Sequence, residues 1–410
     1  MKRFLLISLI CLFGLSAFSQ QTIGFVFPKK KQKKVSFKFE MYNNLIVIPV
    51  SINNFLSMKF IVDTGAEATV LTEKAFGDLV GLNYVREIHI AAPGIRDSVE
   101  AYVATNVTLG LPEDINGEQM SMLVLKEDYL GLKENLGDEI YGIIGYDIFR
   151  RFVVEIDYDE RKLTLHNPRK YKPRKYFEAI DISLDDTKPY IRSNLTSDNG
   201  NGNSVKLMVD TGASHALLLD VHNTDDLQMP EETITARLGQ GLGGEISGMV
   251  GRLNKYEIGR YGFDEVLVSI PYEGSYSNAI KRGSRHGTVG GELLSRFNPT
   301  FDYFNGKLYL AKSKNHSRNF EFDMSGIHLG VKKEFLDSLV VKHLEDDSPA
   351  AEVGIEVGDR VLNINGRNLS NAKLSDLNAL LRKKDGMKIR MKLYRDGAVY
   401  RRKFRLRRMI

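Results

Sequence analysis

Phe60-Ile61-Val62-Asp63-Thr64-Gly65-Ala66-Glu67-Ala68-Thr69-Val70-Leu71 sets a polar tetrapeptide between two apolar runs. The pattern returns 147 residues later as Leu207-Met208-Val209-Asp210-Thr211-Gly212-Ala213-Ser214-His215-Ala216-Leu217-Leu218. Short apolar runs bounded by turn residues read as buried strands, so each Asp-Thr-Gly-Ala is a tight turn between two such strands. A second pair of matched segments lies downstream. Gly142-Ile143-Ile144-Gly145 precedes Tyr146-Asp147-Ile148-Phe149, and Gly287-Thr288-Val289-Gly290 precedes Gly291-Glu292-Leu293-Leu294. Each is followed by a strand pair, Phe152 to Tyr158 with Lys162 to Leu165, then Phe297 to Tyr303 with Lys307 to Leu310. A repeat this long and this well registered implies one duplicated β lobe.

A carboxylate in a turn between buried strands is held rigidly. If two such turns face one another, Asp63 and Asp210 come too close for both to ionise comfortably, so they share a proton and titrate apart. The ionised partner can then take a proton from water while the protonated one donates to a carbonyl oxygen. Gly65 and Gly212 allow close backbone approach and direct an N–H at a carboxylate, and the Thr64 and Thr211 hydroxyls can brace one lobe against the other. Ala66 and Ala213 close the two tetrapeptides.

The doubled motif resembles the aspartic proteases, the retropepsin-like group more than the pepsin-like one, over roughly residues 35–312. The resemblance implies two barrel-like β lobes with a cleft between them, a peptide substrate, no metal or cofactor, and both lobes acting in cis in a monomer. Gly145 and Gly290 match the segments that cross behind each catalytic turn in that family. Glu67 matches an acidic position that holds substrate main chain in retropepsins, whereas Ser214 departs from it, which implies asymmetric substrate contact. His215 reads as a satisfied or solvated histidine. Two other readings stand beside this one: a scaffold that binds peptide without cutting it, and an enzyme autoregulated by the module at its C-terminal end.

Such a cleft needs flaps. Residues 236–251 hold Gly239, Gly241, Gly243, Gly244, Gly248 and Gly251, a flexible flap with Gly241 and Gly243 against substrate, and Ala91-Ala92-Pro93-Gly94 reads as a shorter, stiffer counterpart. A phosphate loop at Gly239-Gln240-Gly241-Leu242-Gly243-Gly244 is disfavoured, because no Lys-Ser/Thr follows.

Lys2 and Arg3, an apolar run from Phe4 to Leu15 and a small-x-small site at Ala17-Phe18-Ser19 read as a signal peptide over residues 1–19, which implies an exported, periplasmic or secreted protein. No segment is apolar enough for a transmembrane span. The one cysteine, Cys11, lies inside that signal, leaving the exported chain without thiols or disulfides. A net charge of +5 is mild and an exported protein meets little nucleic acid, so none is expected as a partner. Lys29, Lys30, Lys31, Lys33 and Lys34 read as a solvated arm over residues 20–35. The lobes are expected at residues 36–172 and 173–314.

The tail changes character. Ser348-Pro349-Ala350-Ala351 through Gly358-Asp359-Arg360-Val361, an Asn365-Gly366 hairpin turn and leucines 374, 377, 380 and 381 at helical spacing precede an alternating strand. Residues 320–410 resemble a PDZ domain of the bacterial protease-associated kind, a small α/β module. The resemblance implies capture of an extended peptide ligand, with His328-Leu329-Gly330-Val331 as the loop that receives its carboxylate. Arg401, Arg402, Lys403, Arg405, Arg407 and Arg408 read as a solvated strand face.

Overall fold

The computed structural model describes residues 23–91, 94, 98–196, 200, 202–222, 224, 227–273, 285–332, 338–369 and 372–410. The segment expected to be a signal peptide, Cys11 and the Ala92-Pro93 portion of the first flap lie outside these residues. The protein is mainly β, as its strand-rich patterning requires. A nine-stranded sheet forms the first lobe and an eight-stranded sheet the second.

The duplication is visible in strand pairing. In the first lobe Ile140–Ile144 runs parallel to Leu56–Val62 and antiparallel to Val70–Leu71, so it threads between the two strands that flank Asp63. In the second, Gly287–Val289 runs parallel to Gly202–Val209 and antiparallel to Leu217–Leu219 around Asp210. Three neighbouring strands fix each turn from both sides.

A third, six-stranded sheet joins the lobes. The hairpin Val153–Asp157 with Lys162–His166 meets the hairpin Thr300–Asp302 with Lys307–Leu310 through the pairs Val154 with Phe301 and Glu155 with Thr300. Phe149 stacks on Tyr303 at 5.4 Å and meets Phe301 edge-on at 5.4 Å, which merges the lobe interiors into one apolar core. Burial of rings on this scale dominates such cores. The two Asp-Thr-Gly turns thus stand on a common, rigid floor.

The basic run is not a free arm from its first described residue. Gly24–Val26 pairs with Ile115–Leu125 and buries Phe25, and Lys34–Lys38 forms the edge of the joining sheet. Lys29 to Lys31 remain exposed in a turn, where the Lys31 carbonyl accepts from Lys170 Nζ at 2.8 Å. Strand pairing of its flanks, through Val35 and Phe37, outweighs the local charge.

The tail forms a six-stranded sheet with the helix Leu374–Leu381, whose four leucines are buried. Asn365 and Gly366 both take positive φ, as the tight turn demands. Asp359 is fully buried and pinned by Arg395 and by the Tyr400 hydroxyl at 3.0 Å. Arg252 of the second lobe donates to the Phe320 and Ile410 carbonyls at 3.0 Å each, so both ends of the tail are tied to the second lobe.

Candidate active site

The two turns are built alike. Asp63 N–H donates to Ile144 O and Asp210 N–H to Val289 O, both at 2.9 Å, so each crossing strand holds the aspartate it backs. Gly65 N–H donates to Asp63 Oδ1 at 2.6 Å and Gly212 N–H to Asp210 Oδ1 at 2.8 Å. The threonines exchange bonds between lobes. Thr64 N–H donates to Thr211 Oγ1 at 3.1 Å and Thr211 N–H to Thr64 Oγ1 at 3.0 Å. Their hydroxyls donate onward to Val209 O at 2.6 Å and Val62 O at 2.8 Å. Four bonds among fully buried groups lock the turns together, in a setting where any lost partner costs the full desolvation of the group left behind.

This lock brings the half-buried carboxyls of Asp63 and Asp210 into hydrogen bond with one another. Asp63 lies against the backbone of the opposite turn. A methyl group on Gly212 would fall 2.3 Å from Asp63 Cγ, so only glycine fits there. Behind the first turn a methyl on Gly145 would meet Asp63 O at 2.0 Å, and one on Gly290 would meet His215 O at 2.2 Å.

Burial pushes both carboxyls above the ordinary range. Asp63 moves well above it because the Asp210 charge adds to burial. Asp210 is restrained by its bonds from Asp63 and Gly212 N–H and by the positive charge of Arg285. Arg285 is buried beside Met208, and nothing in the sequence pattern points to it. Tyr303 is a second residue that the motifs do not single out. Its hydroxyl is buried without a hydrogen-bond partner, and burial together with the charges of Asp63 and Asp210 holds it far above a phenol's usual range. The equivalent position, Tyr158, is the available signal.

Glu67 and Ser214 do not line the dyad as a matched pair. Glu67 forms an ion pair with Lys188 of the second lobe at 2.7 Å, which uses the carboxylate expected to hold substrate. Ser214 is exposed, and its carbonyl accepts from Asn44 Nδ2 at 3.0 Å. His215 is half-buried and its Nε2 is buried without a partner, so that nitrogen is not satisfied; burial with the Arg285 charge lowers its pKa to about 4.

The flaps differ from expectation. The first is not short, since Asn83–Ala91 and Ser98–Leu111 form its arms, and Asn83–Ala91 equals Thr233–Gly241 of the second in length. The tips touch: a methyl on Gly94 would lie 2.6 Å from Gly243 C and 2.7 Å from Gly244 N. Gly241 is half-buried and Gly243 buried, and Leu242 packs on first-lobe residues around Ile143. Gln240 Nε2 donates to Tyr129 O at 3.1 Å. The cleft is roofed by crossed flaps.

His328, Leu329, Gly330 and Val331 sit within the strand Ile327–Lys332 rather than in a loop before it, because they pair in sequence with Ser338–Leu344. The outer side of this edge strand is covered by the first lobe. A methyl on Gly330 would lie 3.0 Å from Glu134 O, and one on Gly137 would meet Leu374 Cβ at 2.9 Å and Val331 Cγ2 at 3.6 Å. Lys342 pairs with Glu134, and Lys373 with Glu40 at 2.8 Å. The segment Leu132–Leu136 with Gly137 therefore occupies the groove between edge strand and helix. Nearby, Glu345 accepts from or pairs with His328 Nε2 at 3.0 Å and accepts from Arg237 N–H of the second flap at 3.4 Å.

Among the described residues no helix is long and apolar enough to cross a membrane, and no group of three His, Cys, Asp or Glu side chains could hold a metal ion. The aspartyl protease family model matches residues 48–148 and 199–290, segments that contain both Asp-Thr-Gly turns and both crossing glycines. The PDZ domain model matches residues 310–394. A search of curated proteins finds no match to this chain. The chain combines an aspartyl protease domain, in two parts that each supply one Asp-Thr-Gly turn, with a C-terminal PDZ domain.

Proposed function

We propose that the protein is an exported, retropepsin-like endopeptidase acting as a monomer, with Asp63 and Asp210 as its catalytic pair. The observation that carries this reading is the reciprocal threonine lock, which places one carboxyl from each lobe in mutual hydrogen bond. Asp210, beside Arg285, is the ionised partner and takes a proton from water. Asp63 is the protonated partner and donates to the scissile carbonyl oxygen, giving a tetrahedral diol without a covalent enzyme intermediate. On collapse the proton roles reverse and the amine leaves protonated. Gly241, Gly243 and Leu242 close over the substrate and exclude water. The test is incubation with a peptide library, reading new termini by mass spectrometry. Internal cleavage that a statine-type inhibitor suppresses is expected; intact peptides, or cleavage indifferent to the inhibitor, would leave only a peptide-binding scaffold.

A second reading is favoured by the filled groove: the PDZ domain holds the protease in its roofed state until a peptide ligand displaces residues 132–137. Removing the Glu134 and Lys342 pair as E134A with K342A should raise both peptide affinity for the PDZ domain and turnover. Unchanged turnover with raised affinity would confine the groove to recruitment.

A further inference from the structure

The last two strands of the chain, Lys388–Arg395 and Ala398–Arg405, form a hairpin whose outer face violates a general rule of sheets. Directly opposed side chains on one face normally pair by opposite charge or apolar contact, and like charges there are destabilising. Here Lys388 faces Arg405, Arg390 faces Lys403 and Lys392 faces Arg401, three successive cation-on-cation rungs. All six side chains are exposed, while the alternate residues Ile389, Met391 and Leu393 fill the domain core. Among the described residues no carboxylate pairs with any of the six, in a protein whose other surface lysines and arginines commonly have one.

The next rung is different in kind. Tyr394 faces Val399 at the tip of the same hairpin, and the two are 39% and 54% exposed. The face thus runs from three cationic rungs to an exposed aromatic and aliphatic pair over about 20 Å of strand. Between the cations lies a hollow of about 540 Å³, lined by Arg390, Lys392, Arg401 and Lys403 with Leu362 and Gly366.

We propose that this hairpin face docks on an anionic lipid surface, with the cationic rungs over headgroup phosphates and Tyr394 and Val399 entering the interfacial layer. A sheet of negative charge relieves the repulsion that the rungs suffer in water, and each cation held at such a surface raises partitioning about fivefold. The apolar tip separates lipid from a soluble polyanion. A bilayer interface accepts a tyrosine and a valine beside phosphates, whereas a dissolved phosphate polymer gives them no apolar environment.

The full chain is tested by co-sedimentation with phosphatidylcholine vesicles, with and without about a quarter phosphatidylglycerol, at about 0.1 M salt. Binding is expected only to the anionic vesicles. The triple variant K388E/R390E/K392E turns all three rungs into opposite-charge pairs, so its melting temperature should hold or rise while its partitioning falls on the order of a hundredfold. Should that variant melt lower, R401Q/K403Q supplies the same comparison without new charge. Y394S should weaken binding severalfold. Equal binding to both vesicle types, or variants of the face that partition like wild type, would overturn the proposal. So would loss of binding confined to neutralisation of Lys29, Lys30 and Lys31, or complete release by about 10 mM inorganic phosphate, which would reveal a discrete phosphate site.

Discussion

The first and second Asp-Thr-Gly turns agree in front and disagree behind. Facing the cleft, Asp63 and Asp210, the two glycine N–H donors and the two threonine hydroxyls repeat each other bond for bond. Behind the first turn, Thr69 Oγ1 donates to Asp147 Oδ2 at 2.8 Å, and Asp147 also pairs with Arg150 at 3.0 Å. Behind the second, Ala216 stands in the place of Thr69, Glu292 in that of Asp147 and His215 in that of Ala68. Burial raises the Glu292 pKa, and the His215 ring nitrogen has no partner. The front keeps its symmetry where the two carboxyls meet across it. The rear need only support a turn, and two different sets of side chains serve there.

Removing one carboxylate should have the largest effect. Neither aspartate can be base and acid in the same step, so D63N and D210N should each lower kcat/KM by several orders of magnitude with folding kept. Substantial activity in either variant would mean that the front is not functionally symmetric. The threonine lock comes next. T64V orphans the Val209 carbonyl and the Thr211 N–H, and T211V orphans their counterparts, so each should cost about 2–4 kcal/mol in denaturant unfolding. The double variant should cost less than the sum, because both substitutions break one network. Very unequal single costs would contradict the reciprocity.

His215 sharpens the difference at the rear. The unfolded chain takes up this proton near pH 6.5 and the folded one only near 4. Stability is therefore full above about 6.5 and is lost as the pH falls toward 4, by about 2 kcal/mol for a half-buried ring. The dyad acts in the opposite sense, since its raised pKa values make stability fall as the pH rises above the ordinary carboxylate range. Melting temperatures of wild type and H215L from pH 7 to about 4 should diverge toward acid, with the variant less sensitive. Parallel curves would remove His215 from the account.

The smallest effect concerns the fourth residue of each turn. Ala66 and Ala213 offer the carboxylates a backbone N–H and no hydroxyl. In A66S/A213S an added donor to the charged form should lower the dyad's lower apparent pKa and move the acid limb of the kcat/KM profile by about half a pH unit. Wild type should have its optimum in the mildly acidic to near-neutral range. An optimum in strong acid, or no shift in the double variant, would defeat this expectation.

Whatever repeats in this chain is legible in its sequence. Two tetrapeptides with two crossing glycine motifs define the strands around each turn, and those strands pair in the folded chain as the repeat requires. The PDZ domain is legible through Gly358-Asp359-Arg360 and Asn365-Gly366, which serve local turns. What stays hidden depends on contacts between distant segments. Arg285 comes beside Asp210 from 75 residues further along the second lobe and Tyr303 reaches the dyad through the sheet that joins the lobes, and no spacing announces that Leu132–Leu136 will fill the PDZ groove. The basic run reads as an arm only when charge is weighed before alternation: Lys34-Val35-Ser36-Phe37-Lys38 buries Val35 and Phe37 and exposes both lysines, a strand pattern present in the residues themselves.

In the proposed reaction, water activated between Asp63 and Asp210 attacks the peptide carbonyl directly. Single-turnover cleavage of a library-selected peptide in ¹⁸O-water, with an added amine as a competing acceptor, tests it most directly. One ¹⁸O atom in each new C-terminal carboxylate, and no peptide transferred to the amine, is the predicted result. An unlabelled carboxylate in the first turnover, which would mark an aspartate oxygen as the nucleophile, or a peptidyl-amine product would contradict it.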